Sequence, residues 1–185
     1  MHPEIEKMMA HNRNFVANKE YEQYAASKFP SKKTAIVTCM DTRLVQLLPA
    51  ALGIKNGDVK MIKNAGGMIT DPFDTTVRSL LVAIYELGVE NIMVVGHTNC
   101  GVQGMEGKHF IEQIEKRGVN VDTKKIKEQY GVDVENWLTG FDETEDAVLK
   151  SVELLENHPL IPENVEISGY VIDTDTGQLH PVNKA

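Results

Sequence analysis

Two short apolar runs rich in β-branched residues constrain this chain most, because each ends abruptly in a polar motif that holds one of its two cysteines. Ala35-Ile36-Val37-Thr38 leads into Cys39-Met40-Asp41-Thr42-Arg43, and Ile92-Met93-Val94-Val95-Gly96 leads into His97-Thr98-Asn99-Cys100. Both runs have the length and composition of buried strands, and helix-patterned sequence lies between them. In a parallel α/β sheet the carboxyl ends of the strands line one edge, where ligands bind. Two thiols and an imidazole are therefore expected to meet at one place. Sulfur and imidazole donors suit a soft or borderline cation, zinc first among them.

The rest of the chain reads as a single α/β domain over residues 1–185: a mostly parallel β-sheet flanked by helices, with an N-terminal helical arm and an antiparallel C-terminal edge hairpin. Residues 1–30 suggest one or two surface helices. Their apolar residues Ile5, Met8, Met9, Phe15 and Val16 are sparse for a core helix and suit packing on a partner subunit. Strands are expected at 34–38, 59–63, 91–95, 166–173 and 178–182, with Asp175-Thr176-Gly177 as the hairpin turn. A helix over 44–52 should bend or restart at Pro49. Asp71 caps a helix with Pro72 at its first position, a stripe of Val77, Leu80, Leu81 and Ile84, and Gly88 at its end. Residues 105–140 read as peripheral helices broken at Gly118 and Gly131. Asp142 and Glu145 form a capping box for a helix that turns Val148, Val152 and Leu155 inward.

A formal net charge of −8 argues against nucleic-acid or anionic-membrane partners, which need basic surface. The longest apolar stretches, at 80–85 and 92–95, are far too short to span a bilayer. No apolar leader is visible, and two cysteines do not make a disulfide scaffold, so a cytoplasmic setting is expected. His2, His11, His109, His158 and His180 lie in surface-like contexts and read as solvated.

Three ligands from Cys39, His97 and Cys100 would leave the fourth place of a tetrahedral zinc open to water, giving a hydroxide nucleophile near neutral pH. Asp41 and Arg43, two positions apart, would share a face of an extended segment and pair. Two roles are open to Asp41. Held by Arg43, it accepts a hydrogen bond from the nucleophile; released, it fills the fourth metal position and shuts the site, most readily at lower pH. Asn64-Ala65-Gly66-Gly67 is either a plain tight turn or a close approach of backbone to the metal pocket or a partner subunit.

Cys39-Met40-Asp41-Thr42-Arg43, Lys63-Asn64-Ala65-Gly66-Gly67 and Gly96-His97-Thr98-Asn99-Cys100-Gly101 together resemble the β-class carbonic anhydrases, in particular their shorter, archaeal-type branch. The likeness is strong over residues 34–104 and looser to the C-terminus. It implies reversible hydration of carbon dioxide to bicarbonate and a proton. Zinc would sit on Cys39, His97 and Cys100, with Asp41 and Arg43 as the catalytic dyad. The Gly101 amide would hold bicarbonate, and Lys55 would stand where many members carry a substrate-binding glutamine. A homodimer with embracing N-terminal helices is implied as well.

Other readings are weaker. A Cys39–Cys100 disulfide leaves His97, Asp41 and Arg43 without a purpose. A thiolate phosphatase loop needs about five residues between Cys and Arg, and three stand here, one of them anionic. Gly96 to Gly101 lacks the lysine of a phosphate loop. A structural zinc module has no use for the Asp41/Arg43 pair, and a carbon disulfide or carbonyl sulfide hydrolase would keep the same site.

Overall fold

The strand Thr34–Cys39 (β1) is covered on both faces, and this arrangement organises the molecule. Ala35 and Val37 point into one apolar cluster while Ile36 points into the other, as the two-residue period of a strand requires. Burying each of the larger side chains contributes about 1.5–3 kcal/mol. The computed structural model describes residues 2–182. β1 is flanked in parallel by Val59–Asn64 (β2) and Asn91–His97 (β3); Glu166–Ile172 (β4) follows in parallel and Leu179–Val182 (β5) closes the far edge antiparallel. The order is β2-β1-β3-β4-β5. All five strands lie within a residue or two of their sequence-derived positions.

The helices are Pro3–Ala17 (α1), Leu44–Ala51 (α2), Thr75–Leu87 (α3), Gly107–Lys116 (α4), Thr123–Tyr130 (α5), Val134–Leu138 (α6) and Thr144–Glu156 (α7). On one face α3 and α7 bury Val77, Leu80, Val148, Val152 and Leu155. On the other α2 buries Leu44 and Leu48. α7 lies close to the sheet because Gly96 leaves room: a Cβ there would sit 2.7 Å from Thr144 Cγ2 and 2.8 Å from Val148 Cγ2. No residue of α1 is fully buried; Phe15 alone is half-buried, its ring 6.0 Å from that of Tyr24. No helix is long and apolar enough to cross a membrane among the described residues.

Four local expectations need correction. α2 runs through Pro49 without a restart, since a proline in the last turn of a short helix removes one bond only. α3 is capped by Asp74, whose Oδ1 accepts from the Val77 amide at 2.7 Å; Asp71 instead closes the preceding turn through the Phe73 amide at 2.7 Å. α7 starts after Glu143 without a side-chain cap, and the Asp142 carbonyl is engaged by Gln103 Nε2 at 2.9 Å. His158 is buried, not solvated. Its Nε2 donates to the Pro72 carbonyl at 2.8 Å and its Nδ1 accepts from the Leu160 amide at 3.2 Å, so both ring nitrogens are satisfied in the neutral form. His2, His11, His109 and His180 are exposed as expected.

Candidate metal centre

β1 and β3 are adjacent and parallel, so their carboxyl ends place Cys39 and His97 side by side. A tight turn through Thr98 and Asn99, the latter at φ +54°, brings Cys100 back toward them. All three side chains are buried, and their ligand atoms lie within 4.8 Å of one another. The two sulfurs are 4.0 Å apart, both free thiols, so no disulfide joins them. Two sulfurs on a tetrahedral zinc, each about 2.3 Å from the ion, stand about 3.8 Å apart.

The imidazole is set for the same task. His97 Nδ1 lies 2.8 Å from the Thr98 carbonyl, which can only accept, so Nδ1 carries the proton and Nε2 presents its lone pair. Nε2 is fully buried and has no hydrogen-bond partner. An orphaned buried nitrogen costs about 1–3 kcal/mol; a cation between it and the sulfurs removes that penalty. The donor set and its spacing fit zinc.

Backbone amides tune the sulfurs. Burial raises the Cys39 thiol, but the His97 imidazole and the amides of Asp41 and Gly66 more than offset it, leaving it lowered to about 7. Burial raises Cys100, and the Cys39 charge adds to this against the amides of Val102 and Gln103. One thiol ionises readily and the second resists, so holding both as thiolates calls for a nearby cation. His97 is raised overall: burial opposes its charged form, and the Cys39 thiolate and the Thr98 carbonyl outweigh it.

The glycine turn touches this site directly. Asn64 Nδ2 donates to the Met68 carbonyl at 2.8 Å and closes the turn, while the Asn64 carbonyl accepts from the Met40 amide at 2.8 Å. Gly67 sits at φ +66°, and a Cβ there would lie 2.7 Å from the Cys39 nitrogen and 2.9 Å from the Thr38 carbonyl carbon. The close-approach reading therefore holds at this position. Gly67→Ala is expected to lose about 2–5 kcal/mol of stability, combining left-handed strain with the clash. Urea unfolding checks this, and a midpoint equal to wild type contradicts it.

Asp41 and Arg43 do pair, but through a turn and not an extended segment. Asp41 Oδ1 accepts from the Arg43 amide at 2.9 Å and from its Nε at 3.0 Å, and Oδ2 accepts from Nη2 at 2.8 Å. This two-pronged contact holds the Asp41 carboxyl far below the usual carboxylate range. Oδ2 is also 3.9 Å from His97 Nε2, beside the space that Cys39, His97 and Cys100 surround. Arg43 reaches two further acceptors, the Asn99 carbonyl at 2.9 Å and Thr174 Oγ1 at 3.4 Å.

Gly101 follows Cys100 with open space where a side chain would project. Within one chain Lys55 is not brought to the site. It is exposed in the turn before β2, on the Thr34 side of the sheet, because the parallel register pairs Val59 with Thr34 and Asn64 with Cys39. Thr98 and Thr174, beside Arg43, were not legible as site residues. Val102 and Phe141 pack against the apolar cluster that contains Cys39 and Cys100. A cleft of about 320 Å³ lined by Met68, Phe141, Asp142 and Glu143 opens near Gly66.

Over residues 34–179 the sequence matches the family described as carbonic anhydrase. A Bacillus subtilis protein named "Putative carbonic anhydrase YvdA" is 47% identical over 178 residues, covering 96% of this chain and 90% of that protein. The crystal structure of β-carbonic anhydrase isoform I from Trichomonas vaginalis matches with a TM-score of 0.82 at 35% identity, over 98% of each chain. The carbon disulfide hydrolase of Saccharolobus solfataricus is 35% identical over 156 residues, 78% of this chain and 74% of that protein.

Proposed function

The chain belongs to the β-class carbonic anhydrase family, and from that premise we propose a zinc-dependent carbonate dehydratase with the ion held by Cys39, His97 and Cys100. The enzyme interconverts carbon dioxide and bicarbonate: carbon dioxide and water give bicarbonate and a proton. The observation that carries the metal reading is the buried, unpartnered His97 Nε2 facing two thiols. When bound, the ion supplies a water acidified enough to act as a nucleophile near neutral pH.

The chain's own residues do the rest. Asp41, ionised and fixed by Arg43, accepts the hydrogen of the attacking oxygen and turns a lone pair toward the carbon. Arg43 keeps that carboxylate from moving to the metal. The Gly101 amide, on the open side of Cys100, is the donor for a bicarbonate oxygen. Val102 and Phe141 keep the surroundings apolar, which favours a small neutral substrate. Lys55 has no part in this reading.

A structural zinc module does not call for the Asp41–Arg43 pair, and the carbon disulfide hydrolase relative is the less similar of the two curated proteins described above. We place the enzyme in the cytoplasm, where Cys39 and Cys100 stay reduced, and as a homodimer in which α1 packs on the partner. Support for the dimer is that Ile5, Met8, Met9 and Val16 are exposed along α1.

Purified protein is expected to elute as a dimer, contain about one zinc per chain and accelerate carbon dioxide hydration in a stopped-flow indicator assay. Zinc-replete protein with no rate above buffer at neutral and alkaline pH rejects the catalytic reading.

A further inference from the structure

The Arg43 amide holds Asp41 at Oδ1, but Oδ2 depends on the Arg43 guanidinium. An arginine loses about 2 kcal/mol of side-chain entropy when fixed, and Arg43 is 42% exposed along its side chain. Held by Asp41 alone, the guanidinium could swing and free Oδ2. Asp41 Oδ2, 3.9 Å from His97 Nε2, has little distance to travel before it reaches the space between the three ligands. Something outside the pair must fix the guanidinium.

The loop after β4 supplies it. Thr174 is buried, and its Oγ1 accepts from Arg43 Nη1 at 3.4 Å. Thr174 is itself held from behind: its amide donates to Thr98 Oγ1 at 3.0 Å, and the two hydroxyls meet at 3.1 Å. Next to it, the Asp173 carboxylate accepts from the amides of Asp175 and Thr176 at 2.9 and 2.7 Å and from the Thr176 hydroxyl at 2.9 Å, making the turn rigid. From the other side the Asn99 carbonyl takes Nη2 at 2.9 Å. Arg43 thus spans three loops at the carboxyl edge of the sheet, those after β1, β3 and β4.

We propose that Thr174, braced by Thr98, is a positioning residue that fixes the Arg43 guanidinium and so keeps Asp41 directed at the substrate and away from the metal. This rests on the zinc-dependent reading above. Without the Thr174 hydroxyl, Arg43 keeps its hydrogen bonds to Asp41 and Asn99 and the attraction of the Asp175 carboxylate, which does not fix its orientation. When a cation is bound, the freed carboxylate would compete for it, most effectively in acid, where hydroxide is scarce. The defect is therefore greatest in acid and fades in alkali. A threonine that merely pinned the β4 turn would change stability and leave that pH dependence alone.

The test uses the full chain loaded with zinc, or with cobalt(II) as a visible probe, as wild type, Thr174→Val and Thr174→Ser. Thr174→Val is expected to bind metal fully, to lose about three- to tenfold in kcat/KM at pH 7, and to approach wild type near pH 9. Its pH-dependent cobalt band should shift to higher pH by the corresponding amount, and Thr174→Ser should restore both. A metal-loaded Thr174→Val with the wild-type rate profile and cobalt titration overturns the proposal, as does a uniform loss that serine does not rescue. Thr98→Ala, which removes the brace without touching Arg43, should shift both readouts in the same direction and gives the answer if the valine variant fails to fold. A wild-type protein that binds no zinc or hydrates no carbon dioxide would instead overturn the reading on which this rests.

Discussion

Cys100→Ser is expected to remove nearly all zinc and to lower the carbon dioxide hydration rate by at least about a thousandfold. The substitution barely changes volume, yet it exchanges a thiol that a cation can deprotonate for a hydroxyl that stays protonated. Cys100 already resists ionisation because it is buried beside Cys39, so the ion's charge is what makes it a ligand. With a hydroxyl there, only Cys39 and His97 remain, too few for tight retention. The metal-free variant should unfold within about 1 kcal/mol of metal-free wild type. Wild type should gain stability when zinc is added, because an ion that binds only the folded chain pulls the equilibrium toward it. Elemental analysis after dialysis against a weak chelator, with unfolding curves with and without zinc, decides the matter. Full zinc retention by the serine variant would remove Cys100 from the ligand set.

The strands and the meeting of Cys39, His97 and Cys100 were legible because two independent signals coincided in each motif. A β-branched run fixed the strand, and the residue type at its carboxyl end fixed the chemistry. Ala35 to Cys39 and Ile92 to His97 needed no information from elsewhere in the chain. The misses have the opposite character. Asp71 and Asp74 are both good caps locally, and only the folded turn shows which amide each one takes. His158 followed by proline looks like a surface stop until Pro72 arrives from 86 residues away to satisfy its Nε2. Thr174 gave no signal, because its partners are Arg43 and Thr98, 131 and 76 positions distant. Lys55 was placed by analogy of a turn, and within one chain strand direction puts it at the Thr34 end of β2. Short-range chemistry can be read from order along the chain; supporting contacts between loops depend on the sheet having formed.

Asp41→Asn is expected to keep its zinc and lose about a hundred- to a thousandfold in turnover by the same factor at every pH from 6 to 9. The sign follows from the Arg43 pair. A carboxyl whose folded pKa is depressed is ionised above its unfolded value, and its contribution fades only as pH falls through the folded value. Arg43 holds Asp41 far below the usual carboxylate range, so that window lies in strong acid. The Asp41 charge is therefore constant throughout the assay range, and any bend in the wild-type profile between pH 6 and 9 belongs to another group. The side-chain amide of the variant can still touch Arg43 but accepts through one oxygen only, so it cannot hold both the guanidinium and the attacking oxygen. The asparagine profile should run parallel to wild type and below it. A profile that converges with wild type in acid would mean that Asp41 titrates or leaves Arg43 for the metal in this range, and loss of zinc would mean that its main role is as a ligand. Either result breaks the assignment of Asp41 as the fixed acceptor, whereas parallel curves with full metal content leave orientation of the nucleophile as the function its carboxylate performs.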